Sequence, residues 1–226
     1  TGSGCQLAWL ETQGPEAIPA DTAVLLVHML NPWGSAWRRR QTEGNVDLNR
    51  NFHAFDDGEL PANGAYEALH PAIAQAQSDG AHTYAVFREC ENERAIAGAL
   101  FAGQYTHSDG VGFGGFGPTW SHLTLRAILE KHAQQARSVA LIDIHTGLGP
   151  FGYGSLLCPD APGSDNFERA RKWYGPGIVS LKDDSMPFQP KGDLMSWVAR
   201  SLPGSVTGVA LEFGTFPLEE AVALQI

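Results

Sequence analysis

The chain has 226 residues, 43% of them hydrophobic, 10% aromatic and 18% charged, with 25 acidic residues against 15 basic ones and a formal net charge of −10. That length and apolar content fit one globular domain over 1–226 with a real core, and they exclude intrinsic disorder. The negative field disfavours nucleic acid and anionic membranes as partners, since Arg38-Arg39-Arg40 is the only concentrated basic patch, and no apolar run approaches the roughly 20 residues that span a bilayer.

In chain order, the first apolar run, Ala23 to Leu30, stops at Asn31-Pro32 and reads as a buried strand followed by a loop. Helical composition and spacing cover Tyr66 to Gln77, then a second strand is expected at Thr83 to Phe87 and a helix at Glu93 to Phe101. A helix at Trp120 to Gln135 leads to a third strand, Val139 to Ile144. A last helix, Asn166 to Trp173, precedes the fourth strand, Val206 to Phe213. None of these strands alternates strictly. Their alternation with helices predicts an α/β fold, with a mixed, largely parallel central sheet and helices on both faces. Glycine and proline concentrate in Gly110 to Pro118 and Gly147 to Gly154, which read as shaped loops near a site.

Cys5, Cys90 and Cys158 are an odd number with no Cys-x-x-Cys pair, which argues against a disulfide framework and for a reducing, cytoplasmic setting. Gly112-x-Gly114-x-x-Gly117 formally matches a dinucleotide fingerprint, but no buried strand precedes it, so it reads as a loop wall. No Gly-x-Ser-x-Gly occurs to support a serine hydrolase.

Three stretches carry chemistry. The third strand runs into Asp143-Ile-His145-Thr-Gly147-Leu-Gly149-Pro150, which puts an imidazole at a strand end as a metal-ligand candidate, with Asp143 on the same face to orient it. A histidine that caps the strand end with a hydrogen bond is the plainer alternative. The fourth strand ends in Leu211-Glu212-Phe213-Gly214-Thr215, where a carboxylate among apolar neighbours is either a general base or half of a structural ion pair. Asn31-Pro32-Trp33-Gly34, Arg38-Arg39-Arg40 and Val46-Asp47-Leu48-Asn49-Arg50-Asn51-Phe52 gather the guanidinium and amide donors that grip a carboxylate. Of the remaining histidines, His28 reads as a core residue within its strand. Tyr105 and Tyr153 are phenol donors that could reach a substrate.

Taken together and in this order, these motifs resemble the zinc carboxypeptidase superfamily (metallocarboxypeptidase-like zinc exopeptidases). Gly-Ser-Gly near the start, Gly114-Gly115 with Pro118-Thr119-Trp120-Ser121, and His145 to Pro150 are similar to an uncharacterised bacterial branch of it. The resemblance implies one Zn²⁺ ion with His145 as a ligand, Glu212 as the catalytic base, and Arg39 as the arginine that polarises the scissile carbonyl, with Arg38 and Arg40 as alternatives. Asn49 and Arg50 would bind the terminal carboxylate of a peptide or small amide substrate. The implied activity is hydrolysis of an amide bond next to a free carboxylate. Deacylation of an N-acyl amino acid at the same site, or carboxylate binding without catalysis, are the alternatives.

In that superfamily a His-x-x-Glu motif ahead of the asparagine-arginine segment supplies the first two ligands. No histidine here is followed by Glu at the third position, and His53-Ala-Phe-Asp56 lies after that segment. The other two ligands are therefore expected upstream of Thr1. On this reading the chain is a fragment that lacks its first strand-loop segment and ends close to the Glu212 motif, with weak or no zinc binding of its own and no activity.

Overall fold

The computed structural model describes residues 1–56, 58–79, 93–183 and 189–216. Seven α-helices are described: α1 (Gly2–Thr12), α2 (Pro32–Trp37), α3 (Gly64–Asp79), α4 (Glu93–Ala102), α5 (Trp120–His132), α6 (Asp165–Tyr174) and α7 (Leu194–Ser201). Four strands, β1 (Ser138–Leu148), β2 (Gly154–Cys158), β3 (Val179–Ser180) and β4 (Ser205–Phe216), form one open sheet in the order β1-β4-β2-β3. β1 and β4 run parallel, as do β2 and β3, while β2 lies antiparallel to β4. The architecture is the mixed, mostly parallel α/β sheet flanked by helices that the sequence predicts.

Helix starts follow local chemistry. Asn31 accepts the Gly34 amide ahead of Pro32, Thr119 accepts that of His122, Ser164 that of Phe167, and Asp193 that of Ser196. Each satisfies an amide that the helix itself leaves unpaired.

Side chains that alternate along β4 divide the core in two. Val206 packs with Val139 and Leu141 of β1 against Leu125 and Leu129 of α5 and Trp197 and Val198 of α7. Val209, pointing the other way, packs with Cys158 and with Phe167 and Ala170 of α6. A third cluster, Tyr66, Ile73, Ile96, Ala97, Leu100 and Phe101, joins α3 to α4 away from the sheet.

The expected strand at Ala23 to Leu30 does not form. Residues 22–29 have no regular secondary structure, and Val24, Leu25 and Leu26 are 45%, 46% and 40% exposed. Only Val27 and Leu30 pack on the sheet-side core. An apolar run becomes a strand when a neighbour takes up its backbone groups, and no strand among the described residues does so here. His28 is accordingly exposed, with Nε2 2.9 Å from Ser3 Oγ, and is not a core residue. The strand expected at Thr83 to Phe87, and Cys90, lie outside the described residues. No helix among the described residues is long and apolar enough to cross a membrane.

Candidate functional site

β1 and β4 stay in register from Ser138 opposite Ser205 to Gly147 opposite Gly214, which sets His145 beside Glu212. Both point to the face that carries Leu141 and Val206, near the carboxyl ends of parallel strands, where open α/β sheets place their sites. His145 Nδ1 is 3.5 Å from Glu212 Oε2, and its Nε2 is 2.7 Å from Asp143 Oδ2. The three side chains are 12–26% exposed, so the cluster opens to solvent on one side. Burial opposes charge on the ring, but the hydrogen bonds and charges of Asp143 and Glu212 outweigh it and lift the pKa to about 10. At neutral pH the ring is an imidazolium between two carboxylates, and a metal at His145 would have to replace a proton.

Gly147 makes room for this arrangement. A Cβ there would lie 2.9 Å from Glu212 Oε1, and one at Gly214 would lie 2.3 Å from the Pro150 carbonyl oxygen. The Thr215 hydroxyl donates to the Gly147 carbonyl at 2.7 Å and ties the two strand ends together.

Arg40 connects this edge to the asparagine-arginine segment. Its Nε donates to Asp47 Oδ2 at 2.8 Å. Its pKa is raised, mainly by Asp47 against the opposing effect of burial, with further support from Glu212 and Asp143. Arg38, Arg39 and Arg40 are all exposed, and Arg40 is set apart by its bond to Asp47 and by the charges of the sheet edge that support its own. Asp47 is held between two cations: burial pushes its pKa up, and Arg40 and Arg50 together bring it below the usual range.

Asn49 and Arg50 come together but face inward. Asn49 Oδ1 accepts the Leu194 amide at 2.9 Å, at the start of α7. Arg50 is 4% exposed, and its two terminal nitrogens donate to the carbonyls of Asn49 and Phe101 at 2.6 and 2.5 Å. Its Nε is buried without a partner. Burial lowers the pKa of this guanidinium, with Asp47 opposing.

Asn51, fully buried, organises the glycine-rich loop. Its Nδ2 donates to the carbonyls of Gly114 and Gly117, and its Oδ1 accepts from the amide and hydroxyl of Thr119. Gly114 lies against the Tyr105 ring and the Arg50 carbonyl, where a Cβ would clash, so the Gly-x-Gly-x-x-Gly pattern is a packed wall. Tyr105 is buried and donates to the Arg50 carbonyl at 2.6 Å, with His53 Nε2 against its hydroxyl. Tyr153 is 64% exposed.

A cleft of about 270 Å³, which no sequence motif marks, lies beside this loop, lined by His53, Phe55, His122, Arg126 and Trp197.

Among the described residues, one group of three donors is close enough to share a metal ion, His70, His107 and Asp109, and His145 is not part of it. Among the described residues the sheet edge offers one imidazole, that of His145, beside the carboxylates of Asp143 and Glu212.

A family described as "Protein of unknown function (DUF2817)" matches residues 1–226. No curated protein and no solved structure matches the chain.

Proposed function

We propose, on the premise that the chain belongs to the DUF2817 family of proteins of unknown function, that it is a zinc-dependent hydrolase. It would cleave an amide or peptide bond next to a free carboxylate, like the carboxypeptidases its motifs resemble. The observation that carries this reading is the in-register pair of His145 and Glu212 at the carboxyl ends of two parallel strands, with Arg40 in electrostatic reach.

Zinc, when bound, would supply a water acidified for attack. A catalytic zinc takes three protein ligands, and His145 alone does not fit that requirement. The remaining ligands are expected from outside the described residues. Glu212 takes a proton from the attacking water and returns it to the leaving amine. In this reading the role expected of Arg39 passes to Arg40, whose guanidinium offsets the negative charge that develops on the carbonyl oxygen. Asn49 and Arg50 fix the substrate carboxylate once the Arg50 guanidinium releases the carbonyls of Asn49 and Phe101.

A carboxylate-binding protein without catalysis is the second reading. It is favoured by His145 being held as a cation between Asp143 and Glu212, as in a structural ion cluster.

The test uses protein expressed from its full coding sequence, assayed against dipeptides and N-acyl amino acids with and without added Zn²⁺. Zinc-dependent hydrolysis that falls by about 10²–10⁴-fold in Glu212→Gln, with zinc content unchanged, is the expected result. Hydrolysis untouched by Glu212→Gln overturns the assignment. Binding of N-acyl amino acids without turnover selects the second reading.

A further inference from the structure

We propose that α3 and the loop after α4 carry a separate metal site, in which His70, His107 and Asp109 bind a divalent transition-metal ion of the zinc class and staple that loop to the helix. The site shares no residue with the sheet edge and does not depend on the hydrolase reading.

Donor atoms of His70, His107 and Asp109 all lie within 4.8 Å of one another. Two imidazoles and a carboxylate are a borderline-soft set that suits Zn²⁺ or Co²⁺ and leaves a position for water. Zinc bonds of about 2.0–2.1 Å place tetrahedral ligands about 3.3 Å apart, so the donors have to draw in by at most about 1.5 Å.

Two features favour metal binding over plain packing. Glu67, one turn before His70 on α3, has Oε2 2.8 Å from His107 Nε2. A ring that donates Nε2–H to a carboxylate keeps its Nδ1 lone pair free, which is how metal-bound histidines are oriented. His70 Nδ1 is buried and has no hydrogen-bond partner. Such an orphan costs stability without return, and a metal ion would satisfy it. The rings of His70 and His107 stack at 3.5 Å with 20° between their planes, and the ion would splay them so that each lone pair points to it.

The loop that presents His107 and Asp109 is already fixed. Gln104, 1% exposed, donates through Nε2 to the His107 carbonyl at 2.7 Å and accepts the amides of His107 and Thr106 at 2.8 and 3.0 Å. Asn45 Nδ2 donates to the carbonyls of Ser108 and Gly110 at 2.9 and 3.1 Å. The backbone therefore needs little ordering when the ion arrives, and the exposed Asp109 leaves an entry path.

The chain, stripped with chelator and dialysed, is titrated with Co²⁺, whose visible d–d absorption reports tetrahedral binding, and Zn²⁺ is then added in competition. The expected result is stoichiometric binding in the wild type and in His145→Ala, weakened by about 10–100-fold in His70→Ala and His107→Ala. Asp109→Asn, at an exposed position, is expected to weaken binding as well. Zn²⁺ should shift the imidazole NMR signals of His70 and His107 together and raise the melting temperature. Absence of binding in the wild type overturns the proposal. So does binding that survives in the folded His70→Ala/His107→Ala double variant, or that is lost in His145→Ala alone, which would place the ion at the sheet edge.

Discussion

His145 on β1 and Glu212 on β4 hold matching positions of two parallel strands, with Nδ1 3.5 Å from Oε2 while Nε2 stays on Asp143. Glu212→Gln or Asp143→Asn removes one of the two carboxylates that offset burial, so each should lower the His145 pKa from about 10. The raised folded pKa means that this cluster's stabilisation is full below the unfolded value of about 6.5 and is lost as pH rises through about 10. Imidazole NMR titration measures the pKa, and urea midpoints of wild type and Glu212→Gln should differ at pH 6 and converge above pH 10. Midpoints that differ equally at both ends would remove the cluster from the stability account.

Gly147→Ala probes the same pair without touching either partner. The new Cβ would meet Glu212 Oε1 at 2.9 Å, and the carboxylate must move away. The fold should survive, because alanine suits a strand at least as well as glycine. The His145 pKa should fall towards its Glu212→Gln value, and an unshifted titration would show that the carboxylate keeps its place.

Asp47→Asn withdraws the carboxylate between Arg40 and Arg50. Because Arg50 is buried, the change should destabilise the protein by about 3 kcal/mol, most of it from the guanidinium left without its strongest opposite charge. The pKa of Asp47 is lowered in the folded chain, so its stabilisation is present above about pH 3.9 and is lost as pH falls through the folded value. Acid unfolding followed by circular dichroism should therefore begin at higher pH in the variant, and coincident curves would contradict this.

Asn51→Ala deletes four hydrogen bonds that pin Gly114, Gly117 and Thr119, the residue that caps α5. A loss of about 2–4 kcal/mol is expected, since the groups left behind lie in a buried pocket. Urea unfolding measures it, and a loss below about 1 kcal/mol would mean that the loop finds other partners.

The helices at 64–79, 93–102, 120–132 and 165–174 and the strands at 138–148 and 205–216 were legible because their apolar spacing agrees with their packing. The segment 22–29 was misread because hydrophobicity shows the wish to be buried, while a strand also needs a partner for its backbone. α7 escaped notice, although Asp193 followed by Met195, Trp197 and Val198 has the cap and the spacing of a helix that buries one face. At the site, His145 and Glu212 were found from their strand-end context, but their register could not be read from either strand alone. Arg40 is set apart from Arg38 and Arg39 by its reach to Asp47, a contact across a turn that a run of three arginines conceals.

Among the described residues no strand covers the segment 22–29, and its exposed apolar side chains bear on how the protein behaves as a solute. Val24, Leu25, Leu26 and Met29 give each molecule an adhesive surface, while a net charge of −10 keeps molecules apart. The repulsion reaches only about 10 Å at 0.1 M salt and shrinks to about 3 Å at 1 M, whereas apolar attraction does not weaken. Ionic strength should therefore act as a dial on self-association: light scattering at fixed protein concentration should rise with added salt, and Leu25→Lys should flatten the response.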